Sequence, residues 1–352
     1  MKRTNKLLSL LICFAVFASV LTGCSSSARQ ETTSETTTVA QTTESTTIET
    51  EQTTTQGPWF EFKPKVCSSF HEDVFGKAMC ESWYSLVDAV MAGEDTFSCP
   101  NGHVYLWMIA EFPNLCFPVL KEIIETDDDV NIGEINGTAR FKYKIPKEEA
   151  AKKIAEFKEL VEGIINEAIK PEYNDFEKAL ALYSYFSHTY TYDYDTFWKI
   201  ENNETVNYTS PYRLLTTKNG ICCEISEAYS YLLMQVGIDA CTVSTAKHEW
   251  SLIKLDGKLY HIDPTFTLSD WDNLAYFLMN DKQRKDTDLY EQTKYDYVSV
   301  YVPEVEPDYT ANDETYKVLW DYHMTSFDPS AKKIECYKYV GEGQESFTYD
   351  YS

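Results

Sequence analysis

One short turn in the second half of the chain constrains its fold more than any other feature. Asp256-Gly257 lies between two apolar runs, and this dipeptide is typical of a two-residue β-hairpin turn. Pairing outward from such a turn sets Leu255 opposite Lys258, and every later pair follows from that one. The sequence therefore predicts an antiparallel hairpin whose register is fixed by its turn.

The same register brings a histidine and an aspartate together. Counting back from the turn puts Trp250 opposite Asp263. Because side chains alternate along a strand, His248 shares a face with Trp250 and becomes the diagonal neighbour of Asp263. Diagonal neighbours lie about 7–8 Å apart, which an imidazole and a carboxylate can bridge. The hairpin thus predicts a base and the group that orients it.

A helix that begins with a cysteine precedes the hairpin. Cys222 lies on its predicted first turn, between the start signal at Gly220 and the stop at Gly237. Unpaired N–H groups and the positive end of the helix dipole favour a thiolate at that position. Cys222 shares the inner face with the apolar stripe, whereas Cys223 lies on the polar face. The stripe consists of Ile225, Ala228, Tyr229, Leu232, Leu233 and Val236.

Three blocks of this region resemble a known family. Gly220-Ile221-Cys222, His248-x-Trp250 and Asp263-Pro264-Thr265 are similar, in this order, to the blocks of the transglutaminase-like superfamily of papain-type cysteine enzymes. The segment 210–215 resembles the one that precedes the cysteine block in that family. The resemblance covers roughly residues 138–290.

The resemblance implies both a fold and a chemistry. The expected fold is α+β and papain/transglutaminase-like, with the nucleophile-bearing helix packed on an antiparallel sheet and additional N-terminal helices. Cys222 would attack an amide or acyl carbonyl, His248 would be its base, and Asp263 would orient the imidazole. Tyr212 and Trp250 are candidates for shaping the substrate pocket. Neither a metal nor an organic cofactor is implied.

Three residues depart from the pattern of bacterial members. Glu224 stands where glycine is frequent, and Ser251 stands where asparagine is frequent. A carboxylate at position 224 is expected near the cleft, where it would raise the pKa of the thiol. Cys223 beside Cys222 allows a vicinal disulfide that would silence the site.

The blocks leave more than one function open. An enzyme of this type forms a thioester, which water resolves in a peptidase or amidase and an amine resolves in a protein cross-linker. Hydrolysis is the preferred interpretation, with a peptide or protein at the cell surface as substrate. A catalytically silent binding module and a surface adhesin are the alternatives from other classes.

The N-terminus predicts export and a lipid anchor. Residues 1–24 have a basic start, an apolar run and then small residues, which is the form of a secretory signal. The segment ends in Leu21-Thr22-Gly23-Cys24, which resembles the lipobox of bacterial lipoproteins and implies lipid on Cys24. Residues 25–57 are almost entirely Ser, Thr, Glu and Gln, so we expect a flexible tether. The predicted location is the extracellular face of the cell membrane, with the lipid as the only anchor.

The charge of the chain excludes one class of partner. The formal net charge is −25 at pH 7. A surface this acidic repels phosphate backbones, so nucleic-acid binding is not expected.

The rest of the chain gives weaker signals. Residues 58–137 form an extension of unclear structure, and residues 291–352 form a Tyr-rich acidic extension. Between them the sequence predicts a strand, two amphipathic helices and a polar, aromatic loop, at residues 139–145, 146–170, 174–190 and 191–210. Strand-like segments also occur at residues 298–302 and 333–339.

Four cysteines fall in the N-terminal extension. Cys67, Cys80, Cys99 and Cys116 allow two disulfides in three pairings outside the cytoplasm. Unreactive buried thiols are the alternative. No Cys-x2-Cys spacing accompanies them, so a zinc site is not favoured.

Overall fold

The computed structural model describes residues 58–206, 209–245, 247–286, 296–297 and 309–352. The predicted signal segment, the tether and the lipidation site Cys24 lie outside the described residues, as does the strand predicted at 298–302. Residues Pro58–Ser352 form one unit. Within the described ranges, no helix has both the length and the apolar character that crossing a membrane requires.

The N-terminal extension is mainly helical. Its helices are α1 (Ser69–Phe75), α2 (Lys77–Ala92), α3 (Gly102–Ala110) and α4 (Phe112–Cys116). Its strands are β1 (Thr96–Cys99), β2 (Ile124–Thr126) and β3 (Gly137–Tyr143), in an antiparallel sheet of order β1-β3-β2. The strand predicted at residues 139–145 is β3, shifted by two residues.

The four cysteines of this extension divide into two kinds. Cys67 and Cys80 form a disulfide across a sequence separation of 13 residues. Cys99 and Cys116 are buried free thiols. Both possibilities left open by the sequence are therefore realised, one for each pair.

Two amphipathic helices follow where the sequence predicts them, α5 (Lys147–Ala168) and α6 (Asp175–Thr189). The apolar stripe of α5 is buried over Ala150, Ile154, Phe157, Val161, Ile164 and Ile165. Asn174 caps α6, because its side chain accepts from Glu177 N and the Glu177 carboxylate accepts from Asn174 N. This capping box satisfies two otherwise unpaired N–H groups and fixes where α6 begins.

The segment predicted as a loop at residues 191–210 is partly regular, and there the prediction is wrong. It contains β4 (Thr191–Tyr192) and α7 (Tyr194–Glu201), and α8 (Pro211–Thr217) and β5 (Asn219–Gly220) follow. No residue of α7 is buried, so an apolar stripe could not reveal it. Its start is set by Asp193, which accepts from Thr196 N at 2.9 Å and from Thr196 Oγ1 at 2.7 Å.

The centre of the molecule is a helix on an antiparallel sheet. Helix α9 (Cys222–Gln235) packs on the strands β6 (Asp239–Ser244) and β7 (Glu249–Leu255), and β8 (Lys258–Ile262) and β9 (Asp296–Tyr297) complete the sheet. The strand order is β8-β7-β6-β9, with every pair antiparallel. The predicted α+β fold, with the nucleophile-bearing helix on this sheet, is confirmed.

The hairpin register is also confirmed. Leu255 pairs with Lys258, and the ladder continues to the pair of Ser251 and Ile262. Asp256 and Gly257 have φ angles of 49° and 78°. Two positive φ values in succession define the type I′ turn, whose twist matches that of the flanking strands.

Two short helices and a C-terminal three-stranded sheet complete the fold. The helices are α10 (Pro264–Thr267) and α11 (Asp281–Asp286), and the strands are β10 (His323–Asp328), β11 (Lys333–Val340) and β12 (Gly343–Asp350). The strand predicted at residues 333–339 is β11. Lys332 Nζ and the Tyr351 hydroxyl both donate to Glu177 Oε1, at 2.7 and 3.0 Å. The buried Glu177 thus ties this sheet to α6.

Candidate active site

The start of α9 positions the candidate nucleophile. Cys222 is the first residue of the helix, and Ile221 precedes it in an extended conformation with φ −99° and ψ 174°. The first backbone N–H groups of a helix have no partner within it. The thiol of Cys222 therefore lies beside backbone donors and the positive end of the helix dipole.

Glu224 holds this helix end in place. Its carboxylate accepts from Ile221 N at 3.0 Å and from Ser210 N at 2.8 Å. Arg213 Nε donates to it at 2.7 Å, and Arg213 Nη2 also donates. The side chain of Glu224 is completely buried. The carboxylate expected near the cleft therefore lies at the start of α9, where it faces Arg213 and two backbone donors.

The ion pair extends to one further carboxylate. Arg213 Nη1 donates to Asp193 Oδ2 at 2.8 Å. The hydrogen bond to Glu224 raises the pKa of Arg213, burial opposes the rise, and Asp193 adds to it. One arginine thus links α7 to the first turn of α9.

The end of the hairpin joins His248 to Asp263. His248 Nε2 lies 2.7 Å from Asp263 Oδ2. The imidazole is almost completely buried and the carboxylate is completely so. Asp263 is also the N-cap of α10, since its Oδ1 accepts from Thr265 N at 3.2 Å. Both carboxylate oxygens therefore have donors, and their orientation is fixed.

Cys222 is the second partner of the imidazole. Burial, the largest effect, lowers the pKa of His248, but the charge and the hydrogen bond of Asp263 and a hydrogen bond with the Cys222 side chain outweigh it. Together they raise the pKa of His248 to about 10. Since Nε2 faces Asp263, Nδ1 is the ring nitrogen left for the sulfur. The structure thus brings Cys222, His248 and Asp263 into one chain of contacts.

Asp263 keeps its charge despite its burial. Burial raises the pKa of its carboxyl, but the protonated His248, the hydrogen bond to it and Arg284 together hold that pKa below its usual value. At neutral pH the pair is therefore a buried carboxylate and a buried imidazolium.

Two aromatic rings fix the plane of the imidazole. Trp250 stacks on His248 with ring centroids 6.0 Å apart and an interplanar angle of 20°. Phe266 of α10 contacts His248 at a centroid distance of 5.3 Å. Trp250 has no exposed surface. It lies behind the imidazole rather than in an open pocket, which is a packing role.

Tyr212, the other pocket candidate, has contacts on another helix. Its ring lies 5.9 Å from Phe157, and Lys153 Nζ is 5.3 Å from its centroid. Both partners belong to α5. A role of Tyr212 in the substrate pocket stays a prediction.

Cys223 has surroundings unlike those of Cys222. Burial and then the nearby charges of Cys222, Glu249 and Glu227 raise the pKa of Cys223 well above its usual value. Both cysteines belong to α9, where the side chains of successive residues diverge by about 100°. A disulfide between them would require the first turn of the helix to unwind.

Two further carboxyl groups, those of Glu227 and Glu249, lie beside Cys223. Ser226 Oγ donates to Glu249 Oε1 at 3.0 Å. Burial and the charge of Glu249 raise the pKa of Glu227 well above its usual value. The polar face of α9 is thus acidic, and Cys223 and Glu227 on it are half-buried.

Among the described residues, no group of three or more His, Cys, Asp or Glu side chains is arranged to hold a metal ion. The groups of the candidate site are a thiol, an imidazole and a carboxylate.

Comparison with known proteins identifies the domain that carries these groups. The family model described as the transglutaminase-like superfamily matches residues 162–277. This chain carries a transglutaminase-like superfamily domain. Domains of this superfamily commonly have cysteine-based acyl-transfer activity. The matched range includes Cys222, His248 and Asp263.

Other comparisons add similarity without further assignment. A solved structure titled "Crystal structure of a TGase" is 18% identical over 50% of this chain, with a TM-score of 0.30. This chain covers 47% of that structure's chain, or about half its length. The comparison with curated proteins found no match.

Proposed function

We propose that this protein is a surface-anchored cysteine acyl-transfer enzyme that hydrolyses amide bonds, as a peptidase or amidase. The observation that carries the proposal is the position of His248, whose Nε2 lies 2.7 Å from Asp263 Oδ2 and whose imidazole has a hydrogen bond with the Cys222 side chain. A nucleophile, a base and an orienting group in that sequence are the parts that nucleophilic catalysis requires.

The proposed reaction begins with attack of the Cys222 sulfur on the carbonyl carbon of an amide. The tetrahedral oxyanion accepts a hydrogen bond from the Cys222 backbone N–H at the start of α9. His248, protonated at neutral pH, gives its proton to the leaving amine, and the carbon–nitrogen bond breaks. The acyl group stays on sulfur as a thioester, and His248 is left neutral.

A second nucleophile then resolves the thioester. Neutral His248 takes a proton from water, the hydroxide attacks the thioester carbonyl, and the carboxylic acid leaves as the thiolate and imidazolium are restored. A primary amine in place of water would make the same enzyme a cross-linker. Hydrolysis is proposed because many bacterial proteins with these blocks are regarded as peptidases.

The proposal includes a location and a substrate class. The lipobox-like end of the N-terminal segment and the Ser/Thr-rich stretch after it support lipid on Cys24 and a tether that holds the domain at the extracellular face of the membrane. The substrate is then a peptide or protein of the cell surface.

The first test asks which sulfur is reactive. Reduced protein receives a limiting dose of iodoacetamide at pH 7, and peptide mass spectrometry locates the label. We expect Cys222 to react first, and His248→Ala to slow its labelling at least tenfold. Cys223→Ser is the matched control and should leave the labelling of Cys222 unchanged. First labelling at Cys223, or equal labelling with and without His248, would contradict the proposal.

The second test distinguishes the three functions. Purified protein acts on casein with and without a fluorescent primary amine. Hydrolysis releases new amino termini, and cross-linking incorporates the amine. A silent binding module gives neither product and has an unreactive Cys222. Either activity should be lost in Cys222→Ala and retained in Cys223→Ser.

A further inference from the structure

Helix α11 contacts the candidate triad through an arginine outside the matched family range. Arg284 is almost completely buried, and its guanidinium carbon lies 4.1 Å from the centroid of the Trp250 ring. Its Nη1 is 3.6 Å from Asp263 Oδ2. This is the same oxygen that faces His248 Nε2. One carboxylate oxygen therefore lies between two cations.

The same helix reaches Trp250 by a second route. Trp250 Nε1 donates to His261 Nδ1 at 2.9 Å, and His261 Nε2 lies 2.9 Å from Asp281 Oδ1. An indole N–H can only donate, so Nδ1 of His261 is the acceptor and its proton is on Nε2. Burial, the largest effect, lowers the pKa of His261, which agrees with this neutral tautomer. Helix α11 thus contacts Trp250 directly through Arg284 and indirectly through Asp281 and His261.

Backbone contacts fix α11 relative to the hairpin. His261 N donates to Met279 O, and Met279 N donates to His261 O, both at 2.8 Å. Asn280 then caps the helix, since its Oδ1 accepts from Gln283 N at 2.8 Å. Strand β8 and the segment that leads into α11 are therefore joined by hydrogen bonds, and this places the Arg284 guanidinium beside Asp263.

We propose that Arg284 is a positioning residue of the triad, acting through Asp263 and Trp250. This inference rests on the proposed function, because it assigns Arg284 to the reaction of Cys222. The guanidinium keeps Asp263 ionised inside the protein and holds it toward His248. It also stacks on the Trp250 ring, and this contact holds Trp250 in place against the imidazole.

The sign of the electrostatic effect follows from the surroundings of Asp263. The titratable and charged groups that face it are His248 from the residue before β7, Arg284 from α11, Tyr183 from α6 and Tyr276 from the turn before α11. Cys222 of α9 adjoins the other side of His248. Removing the positive charge of Arg284 raises the pKa of the Asp263 carboxyl and of the His248 imidazole, because both lose a neighbouring cation. The reaction of Cys222 should then require a higher pH.

The experiment measures the rate of iodoacetamide labelling at Cys222 between pH 4 and 9 in the full chain with the Cys67–Cys80 disulfide intact, and mass spectrometry locates the label. For Arg284→Gln we expect a rate at pH 7 that is on the order of ten- to a hundred-fold lower, as for other residues that orient a reacting group. The rise of the rate with pH should move to higher pH. Arg284→Lys keeps the charge and should restore the pH at which the rate rises.

The matched control removes a cation from the exposed side of the same helix. Lys285→Gln should leave both the rate and its pH profile unchanged. A merely structural role of Arg284 would lower the midpoint of urea unfolding in Arg284→Gln without moving the pH profile, and this result would overturn the proposal.

A second variant covers the case in which Arg284→Gln fails to fold. Asp263→Asn with Arg284→Gln removes the buried carboxylate together with the guanidinium beside it, so neither of these two groups is left without the other. Its labelling rate should equal that of Asp263→Asn alone within about twofold, because the charge of Arg284 has no carboxylate left to act on and Trp250 is still held by its hydrogen bond to His261. A further tenfold loss in the double variant would refute action through Asp263. An unreactive Cys222 in the parent protein would refute the proposed function itself, and that result is recognised before any Arg284 variant is made.

Discussion

Replacing Asp263 by Asn should change how the stability of the protein depends on pH. The pKa of His248 is raised from 6.5 to about 10 in the folded protein. Each pKa unit corresponds to about 1.4 kcal/mol, so protonated His248 contributes about 5 kcal/mol to folding. Because the folded pKa is the higher one, this contribution is complete below pH 6.5. It is lost as the pH rises toward 10.

The Asp263→Asn variant should not lose this contribution to stability as the pH rises. Burial is the largest effect on His248 and lowers its pKa, and without the carboxylate it is opposed only by Cys222. The unfolding free energy of the parent minus that of Asp263→Asn should therefore fall by about 5 kcal/mol between pH 6.5 and 10. Other groups that titrate in this range are common to both proteins and cancel in the difference.

Urea unfolding followed by tryptophan fluorescence at several pH values, at constant ionic strength, measures this difference. The matched control is Asp272→Asn, which removes the carboxylate from another His–Asp pair. There the atoms His188 Nε2 and Asp272 Oδ2 are 2.6 Å apart, but the imidazole is 48% exposed. An exposed pair contributes about 1 kcal/mol or less, so this variant should follow the parent closely. Parallel curves for the parent and Asp263→Asn would refute the reasoning.

Three further predictions concern the supports of the site. Glu224→Gln leaves Arg213 without its principal partner, so the unfolding free energy should fall by roughly 3 kcal/mol in urea titrations, and labelling of Cys222 should slow. Cys80→Ser opens the loop closed by the disulfide and should lower the free energy of unfolding by about 3 kcal/mol. A reductant should cause the same decrease in the parent protein and no decrease in the variant. Glu177→Gln weakens the contacts that hold the C-terminal sheet to α6, should cost about 1–2 kcal/mol, and should speed proteolysis of that sheet.

The parts of the site that the sequence predicted are those set by local rules. A type I′ turn fixes strand register, and alternation then fixes faces, so the meeting of His248 with Asp263 follows from counting along fifteen residues. The start of α9 was equally local, since Gly220 precedes it and an apolar stripe follows. Packing the helix on the sheet required only that each bury its apolar face.

The parts that the sequence did not predict depend on distant partners or lack periodicity. Helix α7 has no buried residue, so no stripe marks it, and only the cap at Asp193 gave a local signal. The partner of Glu224 could not be predicted, because Arg213, eleven residues earlier, carries no pattern that identifies it. In the N-terminal extension, continuous apolar runs do not distinguish helix from strand.

Arg284 shows why the local rules stop short of the full site. Burial destabilises the ionised form of Asp263, and a nearby positive charge offsets this effect. The imidazolium of His248 offsets it only part of the time, because His248 loses its proton during the reaction. A guanidinium does not deprotonate, so it can keep Asp263 ionised in both states of His248. The hairpin supplies the first partner of Asp263, which is His248. The second partner, Arg284, comes from the segment that follows Met279, whose backbone is hydrogen-bonded to β8. The permanent charge therefore comes from a segment whose position is set by tertiary contacts, twenty-one residues after the aspartate it serves.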